Sequence, residues 1–165
     1  MQTDPVKKEE KMGWDNRQNN GYKGNDRQNN QQREYKPKFL KPIGNFFDKN
    51  GIVNLDWVGV TIKDFADYLG NTCEFTSNQM RNFYNEFLRI KGLPVSNTEK
   101  LILIKMLKAK VNYKQSSVRV PFEFKDFIFA LVDEIGSDDL FLKRFDNACL
   151  IMEALVAFNP NTKKK

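Results

Sequence analysis

From Thr61 onward the apolar positions recur at intervals of three and four, the repeat of one helix face rather than of a strand. Ile62, Phe65, Ala66 and Leu69 predict a short helix that Thr61 caps and that ends at Gly70. In "TSNQMRNFYNEFLRI", residues 76–90, the stripe is Met80, Phe83, Tyr84, Phe87 and Leu88. Thr76 and Gln79 have the spacing of a capping box, and Gly92 followed by Pro94 stops the helix. Ser96 with Glu99 repeats that signature and opens a helix to about Lys114. Its core, "KLILIKMLKAKVNYK", is apolar almost all round, which predicts a place in the middle of a bundle. Lys105 and Lys108 leave it on one side and Lys110 and Lys114 on another, toward grooves between neighbouring helices.

"QSSVRVP" (115–121) reads as a loop. Phe124, Phe127, Ile128, Leu131, Val132 and Ile135 then mark a fourth amphipathic helix closed by Gly136. Ser137 is the expected cap of the last, which carries Phe141, Phe145, Ala148, Met152 and Leu155 up to Asn159-Pro160. No stretch alternates with period two over a convincing length, so the fold class is all-α, a compact bundle of about five helices.

The segment before the first helix is different. "KPKFLKPIGNFFDKNGIVNLDW" (36–57) mixes apolar residues with Pro37, Pro42, Gly44 and Gly51, and predicts an irregular arm that packs Phe46, Phe47 and Trp57 on the domain. Its "DKNG" does not make a calcium loop. With Gly51 as the sixth residue, Phe46 would be the first ligand and Trp57 the twelfth, and neither binds the ion. Residues 1–36 read as a disordered tail: ten of the 17 residues from Asn16 to Gln32 are Asn or Gln, too polar to offset their ordering entropy. A solvated tail is the simpler reading of this tract; Arg17, Lys23, Arg27 and Arg33 interleaved with Tyr22 and Tyr35 would also suit loose contact with RNA. The expected domain is 37–160, followed by a basic end at 161–165.

Composition narrows the chemistry. The 165 residues contain no histidine, which excludes histidine-based nucleophile activation, imidazole bases and histidine metal sites. Cys73 and Cys149 are too few for a zinc site and have no CxxC spacing, so no metal or cofactor is expected. Paired acids occur at Asp133-Glu134 and Asp138-Asp139, but they fall around helix ends, where capping explains them better than catalysis. No long apolar run or hydrophobic leader is visible, so the expectation is a soluble, cytoplasmic, non-enzymatic protein.

The net charge of +6 conceals a polarised chain. Residues 76–119 hold nine basic side chains against Glu86 and Glu99 (+7), whereas 120–160 hold three against eight acids (−5). Cations at phosphate spacing with planar groups nearby suit single-stranded RNA. Arg81, Arg89, Lys105, Lys108, Lys110, Lys114 and Arg119 are the candidate contacts, and Tyr113 is a candidate stacking residue. Tyr84 lies on the apolar stripe and reads as core. A helical protein–protein adaptor with an incidental basic face is the alternative.

Three short motifs add a resemblance. Thr76, Ser77, Gln79, Met80, Arg81, Phe83 and Tyr84, then Lys108, Lys110, Val111 and Tyr113, then "MEALVAF" at 152–158 follow in order and spacing the pattern of one family. Together they resemble the small helical subunit of the type III-A (Csm) CRISPR effector complex, with Val111 where leucine is usual and the Asn/Gln-rich tail outside the likeness. The resemblance implies a non-catalytic role in antiviral defence. Such subunits stack in several copies along a guide RNA–target RNA duplex and hold the target strand through its phosphates. Cleavage and signalling belong to other subunits of the ribonucleoprotein. Arg81 with Lys108 or Lys110 match family positions, and the other four candidates rest on charge placement. The acidic last helices of one copy are then expected to dock on the basic face of the next.

Overall fold

The computed structural model of the chain describes residues 38–160. Five α-helices run in order: α1 Val60–Asp67, α2 Ser77–Gly92, α3 Asn97–Val118, α4 Phe122–Ile135 and α5 Phe141–Phe158. Among the described residues the only extended pairing is one antiparallel bridge between Phe47 and Val53, so the chain is all-α. The tail expected at 1–36 and the basic end at 161–165 lie outside the described residues.

α5, not α3, is the central helix. It packs against α1, α2 and α4, with Phe145, Ala148, Ile151, Met152 and Leu155 buried. Of the apolar side chains of α3 among the described residues, only Ile104, Leu107 and Val111 are buried, while Ile102 and Met106 stay 55% and 47% exposed. α3 leans on α4 with one flank and α2 with the other, and its outer face meets solvent. Its all-round apolar character therefore reflects an uncovered row rather than a central position.

Four helix boundaries differ from expectation. A 3-10 turn at Leu55–Val58, capped by the Asn54 carboxamide, runs almost directly into α1, so Thr61 falls inside that helix rather than at its cap. Past Asp67 the backbone widens into a π-helical turn at Tyr68–Thr72 that passes through Gly70. A Cβ on Gly70 would lie 2.8 Å from Pro160 Cγ, so glycine is needed there for close approach, not as a stop. "QSSV" belongs to α3, which runs on to Val118, with the Ser116 and Ser117 hydroxyls bonded back to the Tyr113 carbonyl (2.7 and 3.4 Å). Ser137 caps nothing: the Asp138 carboxylate accepts from Leu140 N–H (3.0 Å) and from Arg144 (2.6 Å) and shapes the entry to α5.

The arm is built as expected, with Phe46 and Trp57 buried and Phe47 packed beside them. The Trp57 indole donates to the Gly44 carbonyl (2.8 Å). Asp48 accepts from Asn50 and Ile52 to close the "DKNG" turn. Asn45 and Phe46 N–H both donate to the carboxylate of Glu134 on α4, at 2.6 and 2.7 Å. Ring contacts run from Phe46 and Trp57 through Phe127 to Phe124, and from there to Phe75 and Phe83, tying the arm to α4 and α2. Each such pair contributes about 0.5–1.5 kcal/mol beyond its area burial. Among the described residues no helix is long and apolar enough to cross a membrane.

Candidate nucleic-acid interface

α2 is held at both ends. Its capping box is complete, with Thr76 accepting from Gln79 N–H and the Gln79 side chain bonded to the Thr76 backbone, while Arg89 and Lys91 complement the dipole at its last turn. Met80, Phe83, Phe87 and Ile90 turn inward. The opposite face is left to Asn78, Arg81, Asn82, Asn85 and Arg89, all exposed. Sequence reading had singled out only the arginines; the asparagines between them add hydrogen-bonding groups suited to ribose and phosphate.

Arg81 stands at the edge of a groove of ≈ 430 Å³ between α2 and the end of α5, beside Tyr84, Asn85 and Glu153. It makes no ion pair among the described residues. Tyr84 is half-buried, and burial, followed by the nearby Glu153 carboxylate, raises its hydroxyl pKa. It acts as packing, as its place on the stripe predicts.

One helical turn along α2, Glu86 gathers two of the candidates. Its carboxylate takes Lys110 from α3 at 2.5 Å and Arg89 from its own helix at 3.2 Å. The Lys110 hydrogen bond, ahead of Arg89, holds the Glu86 pKa below its ordinary 4.5. Lys114 lies on the same flank of α3, with its ammonium 5.3 Å from the centre of the Phe83 ring.

Lys105 and Lys108 lie on roughly the opposite side of α3 from that flank, about 170° round by the 3.6-residue turn. Lys108 pairs with Asp133 of α4 and sits 5.1 Å over the Phe129 ring; Lys105 reaches toward the Val132 carbonyl at 3.5 Å. Arg119 follows the last turn of α3 in a left-handed conformation (φ 51°) and is exposed.

The seven candidates thus fall into groups rather than one row: Arg89, Lys110 and Lys114 along the α2–α3 seam, Lys105 and Lys108 on the α3–α4 side, and Arg81 and Arg119 at separate places. Among the described residues they meet only two carboxylates as ion-pair partners, Glu86 and Asp133. The Lys108–Asp133 and Lys110–Glu86 pairings were missed because each joins residues some 25 positions apart, with no local signal; the Arg89–Glu86 pair is local to α2, three residues apart. Of the paired acids, Asp133, Glu134 and Asp138 are engaged by Lys108, the arm and Arg144, which is structural employment. Asn159, read only as part of the helix end, is a buried polar link: it accepts from the Ser77 hydroxyl at 2.7 Å and faces the Ala66 and Phe75 carbonyls.

Comparison with curated proteins and with solved structures gave no significant match. The family model described as Csm2 Type III-A matches residues 58–165, which takes in every helix of the bundle. The three motifs and the all-α architecture agree with it, and the chain belongs to the Csm2 family, small subunits of the type III-A CRISPR complex.

Proposed function

We propose that this small subunit is a non-catalytic RNA-binding component of the type III-A ribonucleoprotein. It holds the target strand of the guide RNA–target RNA duplex through its phosphates, in the cytoplasm, and stacks on copies of itself along that duplex. The observation that carries the reading is electrostatic. Seven candidate cations on and around α2 and α3 share two carboxylates, which leaves a surplus of five positive charges for an anionic partner. Exposed lysine and arginine need no base-edge geometry to hold a backbone, so the absence of a sequence-reading motif fits. Stacking is supported by the charge polarity of the chain and by Ile102 and Met106, which are apolar and exposed on α3. That row would equally serve the adaptor reading, in which the subunit binds protein alone.

Salt separates the two. The test is capture of labelled target RNA by the assembled complex carrying Arg81→Ala and Lys108→Ala together, over a salt series. RNA binding weakens and the slope of log affinity against log salt falls by roughly 0.7–0.9 per lost phosphate contact. Unchanged affinity and slope, with the complex intact, would show that these residues do not hold the strand.

A further inference from the structure

The α2–α3 seam contains more than cations. A cleft of ≈ 220 Å³ opens there, lined by Phe83, Glu86, Leu107, Lys110, Tyr113 and Lys114. It is smaller than the roughly 300–1,000 Å³ of pockets for drug-sized ligands, so a single ring system is the size of occupant it suits. The floor is apolar and closed, because Phe83 and Leu107 are 6% and 3% exposed and belong to the core. The wall is the opposite: Tyr113 projects from α3 with 74% of its surface exposed and no ring contact among the described residues. An aromatic ring left open beside two ammonium groups is a stacking surface without an internal partner.

The polar groups at the rim suit the same occupant. Lys114 lies against the Phe83 face, within the range of a cation–π contact, and its side chain also lines a second recess of ≈ 100 Å³ with Gln79, Asn82 and Phe75. It therefore stands between two hollows of one groove. Glu86 is already engaged by Lys110 and Arg89. Its carboxylate is thereby neutralised as a source of repulsion toward phosphate and is not available to select a base by its edge.

We propose that this cleft receives one unstacked nucleobase of a single RNA strand, stacked on Tyr113 above the Phe83–Leu107 floor, with the flanking phosphates on Lys110 and Lys114. The inference rests on RNA being the ligand of the basic helices and goes beyond it, since holding a backbone requires no base. Recognition is sequence-tolerant, because every base offers a ring face to Tyr113.

The test uses the full chain and two labelled probes of equal length, an oligoadenylate and its abasic ribose–phosphate counterpart, titrated by fluorescence anisotropy over a salt series. The protein binds the oligoadenylate at least about fivefold more tightly, the low end of what stacking one base contributes. Both probes show the same salt slope, since they carry the same phosphates. Tyr113→Ala brings the oligoadenylate down to the abasic affinity and leaves the abasic probe unchanged, whereas Tyr113→Phe keeps the preference; far-UV circular dichroism verifies that both variants are folded. Equal wild-type affinity for the two probes with a steep salt slope would overturn the cleft proposal and leave the phosphate reading standing. So would a preference that survives Tyr113→Ala. If neither probe bound at low salt, the phosphate reading for this chain would fail and the cleft proposal with it.

Discussion

Glu134 offers a direct measure of what holds the arm on the bundle. Its two carboxylate oxygens each accept one backbone N–H, from Asn45 at 2.6 Å and Phe46 at 2.7 Å. Hydrogen bonds to a charged group contribute about 1.5–3 kcal/mol each. Asn45 is exposed and its bond is screened by solvent, so the lower end applies there; Phe46 is buried. Glu134→Gln keeps one acceptor and turns an NH₂ toward the other N–H, at a cost of about 2 kcal/mol. Glu134→Ala strands both donors and costs about 3 kcal/mol, because the N–H of a buried residue is left without a partner. At about 4 °C per kcal/mol for a domain of this size, the expected falls in Tm are about 8 and 12 °C. Thermal unfolding followed by far-UV circular dichroism reads both. Asp139→Asn is the control, since it removes the same charge from an exposed residue that makes no ion pair among the described residues, and it leaves Tm within a degree or two. A Glu134→Gln protein melting within 2 °C of wild type would refute the assignment, as would an equal fall in the control.

Other expectations concern the basic helices and the core. The Glu86 pKa is held low by Lys110 and Arg89, so its contribution is complete above its ordinary 4.5 and fades as pH falls through the lower folded value; Glu86→Gln therefore flattens the acid limb of a stability–pH curve. The same change removes one acid from the cationic seam and raises RNA affinity with a steeper salt slope; an unaltered slope would argue against phosphate contact there. Thr76→Ala breaks the capping box of α2 and lowers stability by about 1 kcal/mol in urea titration, while Thr76→Ser restores it. Burial pushes the Cys149 thiol pKa up to about 12, so a thiol reagent at pH 8 modifies Cys149 only at the rate of unfolding; rapid labelling of that residue in the folded protein would contradict its place in the core.

The parts of the fold that depend on neighbouring residues are legible in the chain. Thr76–Gln79 and Ser96–Glu99 fix two helix starts because both partners of each box lie within one turn, and Gly136 ends α4 with a positive φ that glycine adopts without strain. Thr61 and Ser137 are equally good caps on paper. They lose to Asn54, whose turn arrives first, and to Asp138, which has Arg144 as a further partner. α3 shows a second limit: an apolar count cannot tell a covered face from an open one, and Ile102 and Met106 are open. The candidate interface divides the same way. Charge is written residue by residue, and the seven cations stand out, whereas Glu86 reaches Lys110 and Asp133 reaches Lys108 only through the approach of α2 and α4 to α3.

The attachment of the arm also bears on how the chain is made. Residues 45, 46 and 53 emerge early in synthesis, yet their anchors on Glu134 and Asn147 follow 88 to 94 residues later. Phe46 and Trp57 likewise wait for Phe127 to complete their ring cluster. Pairings of such sequence separation form late, after the loop between them has closed. A nascent chain stopped anywhere before α4 therefore carries a cluster of aromatic residues with nowhere to bury them. The first described segment to leave the ribosome is among the last to find its place, and truncated translation products of this subunit would leave that aromatic cluster exposed to aggregation.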